Sequence, residues 1–261
     1  DDPLSARGLV LLPADQQPIV LVSIDWLGIG NDGQTAWREA LAEAAGTTPG
    51  RVVVHAIHQH DAPGCDFSSE AIATEHGLAG EMFDVEFARA VIRDAADACR
   101  RATDDAASAT HLGWGRAKDE QVASNRRLLG PDGKVQHVRY SSCKDPAVRA
   151  LPEGTIDPWV RVVSFWQEDH PLAVISYYAT HPQSYYGEGR ISSDFVGRAR
   201  AIHEARLPGV PHLHFNGAGG NVAAGKYNDG SPPMREILAQ RLEEGIDTAW
   251  EATQKTHLAG L

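Results

Sequence analysis

The chain has 261 residues, enough for one large domain or two small ones with a sizeable core. It is 42% hydrophobic and 23% charged, and no apolar run approaches the ~20 residues of a membrane helix, which excludes an integral membrane segment. The formal net charge of −11 is spread rather than blocked, which argues against nucleic acid or anionic lipid as the main partner and favours a small molecule.

The elements follow in chain order. The chain opens Asp1-Asp2-Pro3 rather than on Met, so it is expected to have been trimmed, processed or cut from something longer. "RGLVLL" and "PIVLVSID" read as two strands of a hairpin turning at "PADQQ". "QTAWREALAEAAG" is a helix with Trp37, Leu41, Ala44 and Ala45 on one face, stopping at Gly46. "TTPGRVVVHAIH" is the next strand. A second helix is predicted over residues 82–101, with Phe83, Phe87, Val91 and Ala95 as its inward stripe. This strand–helix–strand order points to a parallel crossover in an α/β sheet.

Residues 107–154 are loop-rich with short strands; residues 131–152 are the nearest thing to a linker but too weak for a boundary, so one domain over 1–261 is expected. "VRVVSFWQEDHPLAVISYYATH" is a hairpin turning at "QEDHP", with its second strand running to His181. "SSDFVGRARAIHEARL" is a helix with Ser193 as N-cap and Phe195, Ala199 and Ile202 on its buried side. "HLHF" is a strand entering "NGAGGN", and "SPPMREILAQRLEEGIDTAWEA" a helix with Pro at its first position and Met234, Leu238, Leu242 and Ala249 inward. The fold class is α/β, a mixed sheet flanked by helices. Cys65, Cys99 and Cys143 lie far apart with no CxxC spacing, neither a disulfide framework nor a thiolate zinc site; one disulfide plus a free thiol stays open.

Four stretches carry chemistry. In "VVVHAIHQHDAPG", strand alternation turns His58 and His60 to one side and His55 to the other, so the first two are able to share a metal or substrate. In "VISYYATHPQSYYGEG" a strand ends on His181, with Pro182 forcing the exit. Histidines at two strand ends suit a mononuclear zinc site with one position left for water. In "HFNGAGGNVAAG", Gly217, Gly219 and Gly220 permit positive φ and close backbone approach to a ligand, and exposed amides there suit an oxyanion. It is not a phosphate-binding pattern. In "ASNRRLLG", Asn125 precedes Arg126, a side chain suited to clamping a carbonyl or carboxylate. Each has a plain structural reading as well: core histidines, a tight turn, a surface arginine pair.

Taken in order, "HQHDAPG", "NRRL", "YYATH", "SSDFVG" and "GGNVAAG" resemble the motif series of the neutral/alkaline non-lysosomal ceramidase family, from about Ala6 to the last helix. The resemblance implies a zinc-dependent amidase in which metal-activated water attacks the amide or ester carbonyl of an N-acyl or lipid-like substrate. It places His58 and His181 on zinc-binding positions, His60 beside the metal in proton transfer, and Arg126 at the reacting group. Asn125 and the Gly220–Asn221 amides belong to the same site, and Asp194 to a supporting role behind it. It also implies an extracytoplasmic or secreted location.

Two departures stand out. The family's catalytic serine aligns with Ala223, which puts ceramide itself in doubt as substrate. The family's remaining zinc ligands come from a later segment, so either the chain is the N-terminal part of a longer one or Asp25, Asp61 or Tyr227 completes the shell. The competing readings are an amidohydrolase-type barrel, which also uses His-x-His on an early strand, and a catalytically silent binding domain on a hydrolase scaffold. The oligomeric state is open.

Overall fold

A computed structural model describes residues 2–258. By their internal contacts these fall into two compact units. One comprises Leu4–Ile57 and Ala62–Ser108; the other comprises residues 2–3, His58–Asp61 and Ala109–Leu258.

In the first unit, β1 (Ala6–Leu11) and β2 (Ile19–Ile24) form the expected antiparallel hairpin, Ala6 facing Ile24 and Leu11 facing Ile19. A short β3 (Gly28–Ile29) leads into α1 (Asn31–Ala45), which Gly46 ends at φ +67°, its N–H capping the Ala42 and Glu43 carbonyls. The crossover returns as β4 (Val52–Ala56), parallel to β2, as the strand–helix–strand order requires. β5 (Gly64–Cys65) pairs with β3 in parallel. Two helices follow, α2 (Phe67–Glu75) and α3 (Val85–Asp104), with Asp66 and Asp84 accepting from the Ser69 and Phe87 N–H groups. The core gathers Val20, Val22 and Ile24 of β2, Trp37 and Leu41 of α1 and Val54 of β4, with Trp26 edge-on to Trp37 at 5.6 Å. Each such large side chain contributes roughly 1.5–3 kcal/mol by leaving water.

The inward stripe of α3 is displaced by one residue from the expected one. Ala88, Ile92, Ala96 and Cys99 are buried, while Phe87 is 48% exposed. Small residues let α3 pack close to α1 and β1, and the aromatic ring is left at the margin, tilted against Trp26 at 6.3 Å.

In the second unit, the loop-rich section begins with β6 (His111–Lys118), a full-length strand. It continues through β7 (Ser124–Asn125), the small hairpin of β8 (Arg127–Leu129) and β9 (Val135–Val138), and α4 (Pro146–Ala150). The "QEDHP" hairpin is β10 (Trp159–Gln167) with β11 (His170–Tyr178). Then come α5 (Asp194–Arg206), β12 (His212–Asn216), β13 (Val222–Ala223), α6 (Pro233–Glu251) and β14 (Gln254–His257). The five-stranded sheet runs β12-β11-β10-β6-β14, parallel between β11 and β12 and antiparallel elsewhere. α6 packs on β6 and β10, and α5 on β12 and α6. The architecture is α/β with mixed sheets and helices. Its antiparallel pairs are incompatible with the all-parallel barrel of the amidohydrolase reading. Cys65, Cys99 and Cys143 are all free thiols.

Candidate metal centre

The first histidine is positioned by a strand end that comes earlier than expected. β4 stops at Ala56, and His58 sits in the left-handed region at φ +66°. Strand alternation is therefore not what turns His58 and His60 to a common point; the turn at His58 is. The turn is held by a buried Gln59, whose Oε1 accepts from the Asp61 N–H at 2.7 Å. Asp61 then anchors the segment: one carboxylate oxygen pairs with Arg235 at 2.9 Å and the other accepts from the Gly187 N–H at 3.1 Å.

His181 also lies beyond its strand, since β11 ends at Tyr178. It is held instead by β13: its N–H donates to the Val222 carbonyl at 2.8 Å, and it bridges to Ala223 in parallel. β13 in turn pairs with β7, Val222 facing Asn125 and Ala223 facing Ser124. Gly217 and Gly219 of the 217–220 loop serve this packing. No glycine of the loop has positive φ, and a Cβ on Gly219 would stand 2.8 Å from the Thr180 carbonyl group. These two let the loop lie on the strand end that carries His181, which corrects the expectation of left-handed glycines.

The result is one cluster of three imidazoles. Ligand nitrogens of His58, His60 and His181 all lie within 4.8 Å of one another, and Nε2 of His60 is 2.9 Å from Nε2 of His181. His58 is exposed, His60 half-buried and His181 buried. Burial, followed by the charges of His58, His60 and Arg126, brings His181 down to about 4, a hydrogen bond with the Gly219 backbone working the other way. His60 is lowered by burial, His58 and Arg126, against Asp61. Both rings are thus uncharged at neutral pH, with lone pairs able to converge on a cation. Three imidazoles are a donor set that suits zinc and other borderline divalent ions, so the residues fit a metal.

Arg126 stands close enough for its charge to act on His60 and His181. Its Nη1 donates to the Gly220 carbonyl at 3.2 Å and its backbone N–H to Asn221 at 2.8 Å, while Asn221 Nδ2 donates to Asn125 Oδ1 at 3.0 Å. Asn125, Arg126, Gly220 and Asn221 are therefore one hydrogen-bonded group. Ser124 fills the place beside Ala223, its hydroxyl donating to the Ala223 carbonyl at 2.9 Å.

The three local options for completing the shell each have hydrogen-bond or ion-pair partners of their own. Asp61 is occupied by Arg235 and Gly187; Asp25 accepts from Ser5 through both N–H and hydroxyl; the Tyr227 hydroxyl donates to Glu153 at 2.5 Å. Ser193 holds the N-cap position of α5 without a side-chain cap bond. Asp194, at φ +53°, takes that role: its carboxylate accepts from the Ser184 and Phe195 N–H groups and lies 3.4 Å from Arg235. Burial pushes it up to about 6 despite Arg235.

Arg235 escaped the sequence reading. It stacks over Tyr185 at 3.9 Å and joins Asp61, Asp194, Ser184 and Tyr185. Its signal was position: with Leu238, Leu242, Ile246 and Ala249 it lies on the buried stripe of α6. Tyr186, 60% exposed with its ring 5.6 Å from that of His60, and Tyr140, 64% exposed beside Arg126, also flank the cluster.

The fold and the cluster together define a mixed α/β scaffold presenting a tri-histidine group able to hold a metal ion. No protein-family model and no curated protein matches the sequence. Among solved structures, the fold is similar to a ceramidase complexed with C2 and to the neutral ceramidase from Pseudomonas aeruginosa. For each the TM-score is 0.64 at 20% identity, over 95% of this chain and 38% of that chain. The chain thus spans less than two-fifths of the length of those proteins, and at this identity the likeness establishes a shared fold.

Proposed function

We propose that the chain is a divergent member of the neutral ceramidase family and a zinc-dependent hydrolase of an amide, or ester, in an N-acyl or lipid-like small molecule. The observation that carries the reading is the convergence of His58, His60 and His181 on a ceramidase-like fold. His58 and His181 would hold the ion. Bound there, zinc supplies Lewis acidity that lowers the pKa of water towards ~7 and polarises a carbonyl. His60, uncharged at neutral pH and half-exposed, is the group to accept a proton and return it to the leaving amine. Arg126, with the Gly220–Asn221 backbone and Asn125 behind it, is placed to stabilise oxyanion charge. The same resemblance supports an extracytoplasmic place of action, and a single catalytic domain that forms part of a longer protein.

A buried methyl at Ala223 offers no hydroxyl, and the neighbouring Ser124 hydroxyl is already committed, so the substrate proposed is not ceramide itself. Ala223 also favours the one competing reading, a silent binding domain. The 2.9 Å approach of His60 to His181 raises a narrower question, whether His60 is a third ligand.

Elemental analysis of the purified chain tests both. About one zinc per chain is expected, lost in His58→Ala and in His181→Ala. Retention in His60→Ala assigns that ring to proton transfer, and loss makes it a ligand. Stoichiometric zinc surviving in the His58, His181 double variant would remove the assignment. A panel of N-acyl substrates offered to the zinc-loaded chain separates the hydrolase from the silent domain.

A further inference from the structure

We propose a second binding site, in the groove between the end of β6 and one face of α6, that takes a small organic ammonium ion on the carboxylate of Asp119. The groove is open to solvent and has a volume of about 540 Å³, within the range of small-molecule pockets. Its long wall is the α6 face carrying Ile237, Arg241, Glu244 and Thr248, and its end is residues 118–121. It shares no lining residue with the histidine cluster.

Asp119 is only 5% exposed, and its Oδ2 has no hydrogen-bond partner among the described residues. A buried carboxylate without a donor is costly, and the cost is relieved either by holding a proton or by gaining a donor. Its backbone N–H donates to the Pro158 carbonyl at 2.8 Å, which ties down the strand end. Space is made for it by Gly245: a Cβ there would sit 3.1 Å from both Cβ and Cγ of Asp119. Helix propensity disfavours glycine in mid-helix, and room for the carboxyl is what this one provides.

The charges of the wall select the ligand. Glu120 and Glu244 join Asp119, and these carboxylates outnumber the cations: Arg241, which donates to the Gln121 carbonyl at 2.9 Å within the groove, and Lys118, which lies 5.5 Å from the Trp159 ring centroid. A metal ion is the poorer fit, because these carboxylates do not form a converging three-ligand group; among the described residues the histidines alone do. An ammonium or guanidinium ion brings an N–H donor to Asp119 and positive charge to a wall where carboxylates outnumber cations. Burial and then Glu244 push Asp119 up to about 8, Glu120 adding and Arg241 opposing, and Asp119 in turn raises the neighbouring Tyr178. A cation that binds the ionised form must therefore displace a proton at lower pH.

Titration calorimetry on the purified chain tests this with ethylammonium and agmatine as probes and tetramethylammonium, which has no N–H, as comparator. At pH 8 the two N–H donors bind, with tetramethylammonium on the order of tenfold weaker or worse. Asp119→Asn weakens binding on the order of tenfold or more, the exposed Glu244→Gln less, and His58→Ala leaves it unchanged. Binding also weakens from pH 8 to pH 6, with proton release. The proposal falls if neither donor binds at roughly 10 mM to a chain shown folded by circular dichroism, or if Asp119→Asn, likewise folded, binds as the parent does.

Discussion

Arg235 holds two buried carboxylates at once, Asp61 at 2.9 Å and Asp194 at 3.4 Å, and all three side chains are at most 8% exposed. Removing one member of a buried ionic group leaves its partners charged and unsatisfied, so Arg235→Ala is expected to cost about 3–5 kcal/mol in urea unfolding. Because Asp61 follows His60, the same change should loosen the His58–Asp61 segment and weaken metal binding. Unchanged metal affinity would show that Gln59 alone holds the turn. Asp119 makes the opposite case, a residue whose native form opposes stability at high pH. Its carboxyl rises from 3.8 to about 8, so between those limits the native state holds a proton that the unfolded chain has released. Stability conferred by this group is present at acid pH and lost as pH rises towards 8. Asparagine mimics the protonated form; Asp119→Asn should thus match the parent near pH 4 and exceed it at pH 9, by on the order of 2 kcal/mol or more. Denaturant midpoints at the two pH values decide it, and an equal difference at both would dismiss the titration as its source.

At the scale of elements, α3 shows where periodicity misleads. Two adjacent stripes fit a helical repeat, and the aromatic one is the more conspicuous in sequence; close packing against α1 selected the one with small side chains. Ala88→Glu, at a position 1% exposed, should therefore destabilise by about 3 kcal/mol or more, and Phe87→Glu by no more than ~1 kcal/mol. Comparable losses at both positions in thermal melts would mean the helix is rotated from the orientation described. The strands and helices with strong apolar alternation or caps, β1, β2, β10, β11, α1 and α6, were legible from residues alone. β14 was not, since all four of its residues are exposed and its pairing to β6 is decided by the sheet edge. Nor was α2, whose only buried side chain is Glu70. The trio His58, His60 and His181 was legible as residues but not as geometry: a left-handed turn and a two-residue strand bring them together, and neither leaves a hydrophobic period to read.

At the scale of the molecule, the candidate centre closes a long loop, joining nitrogens of His60 and His181 across 121 positions of chain. An ion held there binds the native state and not the unfolded one, so it stabilises by mass action. At a thousandfold excess over Kd the gain is about 4 kcal/mol, on the order of a 10 °C rise in melting temperature for a chain of this size. His181→Ala should abolish the rise, and chelation should reverse it in the parent. Hydrogen exchange sharpens the test, since a bridging ion protects amides near His58–Asp61 and near His181 together, whereas zinc scavenged by stray surface groups protects neither. A melting shift that persists in His181→Ala, or protection confined to one of the two segments, would mean that the histidines converge without holding an ion between them.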